Sequence, residues 1–65
     1  MKIADARPGA VVRLNSGTLR MTVAGVDVDA GRVLVEWHDR DDSGNEGDYE
    51  PAMLTLVKPA PDDEG

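Results

Sequence analysis

The sequence predicts a mainly β fold, a small antiparallel barrel of four or five short strands with one helical turn before the last. Three observations lead there. The apolar residues are largely aliphatic and β-branched: valine recurs along the chain, phenylalanine is absent, and there is a single tryptophan and a single tyrosine. That composition suits a pleated backbone around a small interior. Seven glycines and four prolines cut the chain into pieces too short for ordinary helices. Finally, residues 32–38 alternate, with Val33, Val35 and Trp37 on one face and Arg32, Leu34, Glu36 and His38 on the other. This is the period of a half-buried strand, and it points the first set at the core.

The remaining elements follow in order. Pro8-Gly9 marks a turn. Residues 10–14 read as a strand with Val12 and Leu14 inward, and Asn15-Ser16-Gly17 breaks it. Residues 21–26 alternate again, and Gly25 inside them signals a bulge or bend. Residues 27–31 carry turn-formers and read as a hairpin connection, whereas residues 39–47 are expected to be a solvated polar loop. A short return strand at 48–50 precedes a helical turn at 51–54, where Pro51 suits a first helical position. A last strand is expected at 55–57. Closing such strands on themselves removes exposed edges, so an SH3-like barrel is the expected architecture. Residues 1–58 are assigned to this one domain, and a chain of 65 residues hides only about 60% of its unfolded surface, giving a core of about a dozen side chains. Residues 59–65 read as a disordered acidic tail.

The run Pro8-Gly9-Ala10-Val11-Val12-Arg13-Leu14-Asn15-Ser16-Gly17, followed by Met21-Thr22-Val23 and by Val33 through Trp37-His38-Asp39, resembles the YodC-like family of small bacterial proteins. That family opens with a PGDVVxLKSGGPxMTV pattern and carries a later Trp-aromatic-Asp step. Pro51-Ala52-Met53-Leu54 is similar to its closing Pro-x-x-x-Leu segment, so the resemblance covers residues 8–57. The chain departs from the pattern at Ala10, where the family has Asp, at Gly17-Thr18-Leu19 in place of Gly-Gly-Pro, and at His38. The loop after His38 is also longer and more acidic. The resemblance implies a compact β-rich module and no activity, with this chain a divergent, acidic member.

Charge is the most informative feature. Thirteen acids against seven bases leave −6, a balance that repels phosphate backbones and disfavours direct nucleic-acid binding. Residues 1–35 carry +2, residues 36–50 carry −6 and residues 51–65 carry −2. The middle segment holds Glu36, Asp39, Asp41, Asp42, Glu46, Asp48 and Glu50 against Arg40 alone. Carboxylates crowded on one hairpin form an anionic face that fits a basic surface, and basic surfaces commonly bind nucleic acid. The expected partner-binding residues are these seven acids, with Tyr49 as an aromatic anchor. The expected function is non-enzymatic: an acidic module docking a basic, nucleic-acid-binding surface of a partner protein. In size and charge the chain is similar to small phage-encoded inhibitors, including some anti-CRISPR proteins, that act as nucleic-acid mimics.

Alternatives come from the same residues. Asp39, Asp41, Ser43 and Gly44, with Glu50 eleven positions after Asp39, match the spacing of a calcium-binding EF-hand loop. Strand-like flanks and Glu46 at a normally apolar position argue against that match. A housekeeping barrel using Arg7, Arg13, Arg20 and Arg32 as a weak basic side is a further alternative. Leu19, Leu34 and Val26 or Val28 suggest a modest apolar contact patch. His38 lacks the partner and pocket that acid–base catalysis requires. With no cysteine there are no disulfides or thiolate metal sites. No apolar run is long enough to span a membrane. The expectation is a cytoplasmic, cofactor-free, monomeric protein.

Overall fold

The alternation in residues 32–38 organises the sheet. In the computed structural model, which describes residues 1–61, five strands form one antiparallel sheet. They are β1 (Val11–Leu14), β2 (Met21–Asp27), β3 (Arg32–His38), β4 (Gly44–Tyr49) and β5 (Leu54–Lys58), in spatial order β4-β3-β2-β1-β5. The mainly β class is as expected, with lone 3-10 turns at Ile3–Asp5 and Pro51–Met53 as the helical elements among the described residues. No helix among those residues is long and apolar enough to cross a membrane.

Val23 faces Val35 and Val26 faces Val33 across the β2–β3 ladder, and the register shifts between Val23 and Gly25. The interior glycine therefore does mark a bulge, where an extra residue increases local twist. The turn after β2 is closed by the Asp27 Oδ1, which accepts from the Ala30 amide at 3.2 Å. Gly31 then takes a φ of 67°, a left-handed conformation that glycine adopts without a Cβ penalty. Both pairings bring alternate side chains of the two strands onto one inner face.

That face builds the core. Ala6, Ala10, Val12, Met21, Val23, Val33, Val35 and Leu54 are buried, and no polar or charged side chain among the described residues joins them. Met1, Leu14, Val26, Trp37, Tyr49, Leu56 and Ala60 pack around this cluster. The interior is thus aliphatic, with both aromatics at its rim rather than its centre. The Met1 ammonium donates to the carbonyls of Pro51 and Leu54, each at 3.0 Å, which ties the start of the chain to the turn before β5.

Three expectations need correction. The sheet is open: β5 returns beside β1, leaving it and β4 as the two outer strands, so the closed barrel is not formed. Proline lacks the N–H needed to extend a ladder, and Pro59 follows directly on the last residue of β5. The expected polar loop at 39–47 is shorter, because Gly44–Gly47 belong to β4. Finally, residues 59–61 are not a free tail. Ala60 packs against the core and the Pro61 ring approaches Gly9, whose Cβ position would lie 3.1 Å from Pro61 Cδ. The remainder of the expected tail, 62–65, lies outside the described residues.

Candidate functional site

The β3–β4 hairpin carries the acidic segment, and its register decides which carboxylates meet. Val33 faces Tyr49, Leu34 faces Asp48, Val35 faces Gly47, Glu36 faces Glu46, Trp37 faces Asn45 and His38 faces Gly44. Directly opposed residues share a face. The outer face therefore carries Leu34, Glu36, His38, Glu46 and Asp48, while Val33, Val35, Trp37, Asn45, Gly47 and Tyr49 face the core side. Glu36 and Glu46 stand opposite one another, both exposed, with Cβ atoms about 5 Å apart by the geometry of such pairs. Thr22 of β2 flanks Glu36 on its other side, so no cation interrupts the row.

Asp39, Asp41 and Asp42 sit at the hairpin tip. The Asp42 amide donates to the Asp39 carbonyl at 2.8 Å, and the Asp39 amide donates to the Ser43 carbonyl at 3.1 Å. Asn45 braces the mouth of the turn, its Nδ2 donating to Asp39 Oδ2 at 2.9 Å and to the Ser43 carbonyl at 3.2 Å. Asp42 has a φ of 66°, a left-handed conformation that aspartate tolerates better than most residues. The tip is thus a hydrogen-bonded turn that presents its acids in a defined order along the chain.

Arg32 closes the opposite end. Its Nη2 lies 3.4 Å from Asp48 Oδ1 and donates to the Asp48 carbonyl at 3.1 Å, and its Nη1 lies 3.9 Å from Glu50 Oε2. Among the described residues, Glu36, Asp39, Asp41, Asp42 and Glu46 take part in no ion pair. The hairpin therefore divides into an end where one arginine partly compensates Asp48 and Glu50, a middle where Glu36 and Glu46 form no ion pair, and a tip where Arg40 stands among Asp39, Asp41 and Asp42. Beside the Glu36–Glu46 row, Ala24, Leu34 and Gly47 help form the floor of a shallow open depression of about 280 Å³.

Several sequence expectations change against this geometry. Tyr49 faces the core side opposite Val33 and packs against the buried cluster, so it does not stand among the outer carboxylates as an anchor. The calcium-loop spacing does not become a loop. Strand β4 occupies most of it and, at about 3.4 Å per residue, carries Glu50 about 20 Å beyond the tip where Asp39, Asp41 and Ser43 lie. No group of three His, Asp or Glu side chains among the described residues converges for a metal ion.

The basic side is also reduced. Arg13 Nη1 donates to the carbonyls of Leu14, Asn15 and Gly17 at 3.1, 3.1 and 3.3 Å, and Arg32 serves the acidic hairpin. Arg13 keeps its charge but is held against the backbone, and Arg7 and Arg20 of the expected set are both exposed. The apolar patch does not assemble. Leu19 and Val28 lie beyond opposite ends of β2, and Val26 packs on the core.

The roles of Arg32 and Asn45 went unread in the sequence. Asn45 carries a faint signal, a short amide side chain just past a hairpin turn; Arg32 carries none, because its partners are 16 and 18 positions away. Comparison with known proteins adds no assignment to this geometry: no family model matches the chain, and neither a curated protein nor a solved structure does.

Proposed function

We propose that this chain is a non-enzymatic binding module whose β3–β4 hairpin docks on a cationic protein surface, one that otherwise holds nucleic acid. The observation that carries the reading is the Glu36–Glu46 pair. Like charges directly opposed across a ladder are destabilising, and here they stand exposed with no ion-pair partner among the described residues. A domain with little stability in reserve gains nothing in folding from that arrangement, whereas a basic partner would gain a preassembled row of carboxylates. Asp39, Asp41 and Asp42 extend the row at the tip, held in sequence by the turn's own hydrogen bonds. Closely spaced anionic groups on a backbone-paired scaffold are what a phosphate-binding groove recognises. Occupying that groove makes the chain an inhibitor of its partner.

The test is affinity capture from a cell lysate with the wild-type chain and with the Glu36→Lys/Glu46→Lys variant, at 50 and 500 mM salt, with and without competing duplex DNA. The expected result is a nucleic-acid-binding protein retained by the wild type at low salt, lost with the variant and displaced by the DNA. Retention unaffected by charge reversal or by DNA would refute the reading. Circular dichroism of the variant separates loss of binding from loss of fold.

A further inference from the structure

The two outer strands are protected very differently against pairing with other chains. An outer strand presents unpaired N–H and C=O groups, and proteins blunt such edges with bulges, lysine, proline or covering segments. Strand β5 has these devices. Its register with β1 shifts between Val11 and Val12, Lys58 ends it, and Pro59 follows. Strand β4 lacks the bulge, the lysine and the proline, and its charged side chains, Glu46 and Asp48, guard it against all but cationic partners. Its six residues keep an unbroken register with β3, and Gly44–Tyr49 contains neither proline nor lysine. In an antiparallel ladder alternate residues turn their N–H and C=O away from the neighbour, so β4 offers a regular edge.

The two faces beside that edge differ in chemistry. On the outer face stand Glu46 and Asp48, with Glu36 behind them. On the core side, Gly47 has no side chain, and the Trp37 ring fills its place: a Cβ there would lie 3.4 Å from Trp37 Cη2 and Cζ3 and 3.8 Å from Tyr49 Cε2. Both rings are only half-buried, and both border the Gly47 position on the outer strand. A second copy of the chain does not fit. Antiparallel pairing of β4 with itself, with like faces matched, opposes acids to acids, which is disfavoured.

We propose that the free edge of β4 takes up an extended segment of the partner as a sixth strand, with alternate Lys or Arg side chains along Glu46 and Asp48 and the intervening apolar side chains against Trp37 and Tyr49. Strand addition of this kind derives affinity from main-chain hydrogen bonds and specificity from alternate side chains. The inference rests on the docking reading above and names the element of the partner that the hairpin receives.

The test uses the whole chain, with the single tryptophan's emission as readout. The probes are the end-blocked peptide Lys-Val-Lys-Val-Lys-Val, two versions N-methylated on either the three lysines or the three valines, and hexalysine. The expected result is that the parent peptide binds, that one methylated version binds at least about tenfold more weakly, and that the other resembles the parent. Only alternate amides face the edge, and losing several hydrogen bonds supports that factor. Equal binding by all four peptides would overturn strand addition while leaving electrostatic docking intact. Absence of any binding would overturn strand addition as well, and the lysate experiment then judges the docking reading independently.

Discussion

Reversing one charge of the Glu36–Glu46 pair should stabilise the protein. In Glu46→Lys the residue directly opposite Glu36 changes from like to unlike charge. Cross-strand charge pairs are worth about 0.2–1 kcal/mol, and the change removes a repulsion and adds an attraction, so about 1 kcal/mol is expected at low ionic strength. Both residues are exposed, which holds the figure at that level. With an unfolding entropy of about 2.1 cal/mol/K per residue, a chain of this size gains about 7 °C in Tm for each 1 kcal/mol. Glu36→Lys should give a similar rise. The double variant restores a like-charge pair, now of two lysines, and should lose the coupling part of the gain. The assay is thermal unfolding followed by circular dichroism on all four proteins, at 10 mM and at 1 M salt. At 1 M the Debye length falls to about 3 Å, and the differences should shrink to near zero. A destabilised Glu46→Lys at low salt, or a double variant equal to the sum of the singles, would show that the two carboxylates do not interact and would remove the premise of an uncompensated row.

Two further outcomes test the frame that holds the hairpin and its neighbours. Asp42→Gly should raise stability by about 0.5–1 kcal/mol in urea unfolding, because the φ of 66° strains any residue with a Cβ and the change also removes one tip charge. Arg13→Met keeps the aliphatic stem but loses the donor to three carbonyls. It should lower stability by about 1–2 kcal/mol in the same assay, without altering retention of a partner by the acidic face.

How much could be read in advance varies by element. The β2–β3 hairpin was legible because Val23 and, opposite it, Val35 fall on the inward side of two alternating runs, with Gly25 marking the bulge, whereas Val26, expected in a surface patch, instead faces Val33. The turn at Pro51–Met53 was legible from proline at a first helical position. Strand β4 was largely missed, since Gly44, Asn45, Glu46, Gly47 and Asp48 show no apolar alternation. It pairs nonetheless because β3 supplies the missing apolar surface, with Trp37 lying over Gly47. The loop expected there was therefore half strand, and the calcium spacing, sound as a pattern of oxygen donors, was stretched out along it. The packing of Ala60 was missed for a related reason: an alanine between two prolines carries no periodicity, and its burial depends on the neighbouring Arg7–Gly9 turn.

The chain alone determined the strand-forming chemistry, the aliphatic core and the crowding of acids between positions 36 and 50, because these are properties of residue type and spacing. Only the tertiary structure decided that Glu36 opposes Glu46, that Arg32 partly compensates the far end and not the middle, that Tyr49 turns to the core, and that β4 is left as a regular free edge. Each of these depends on the register between strands. A slip of one residue would move every side chain of β4 to the other face, and backbone pairing together with the fit of Trp37 over Gly47 sets that register.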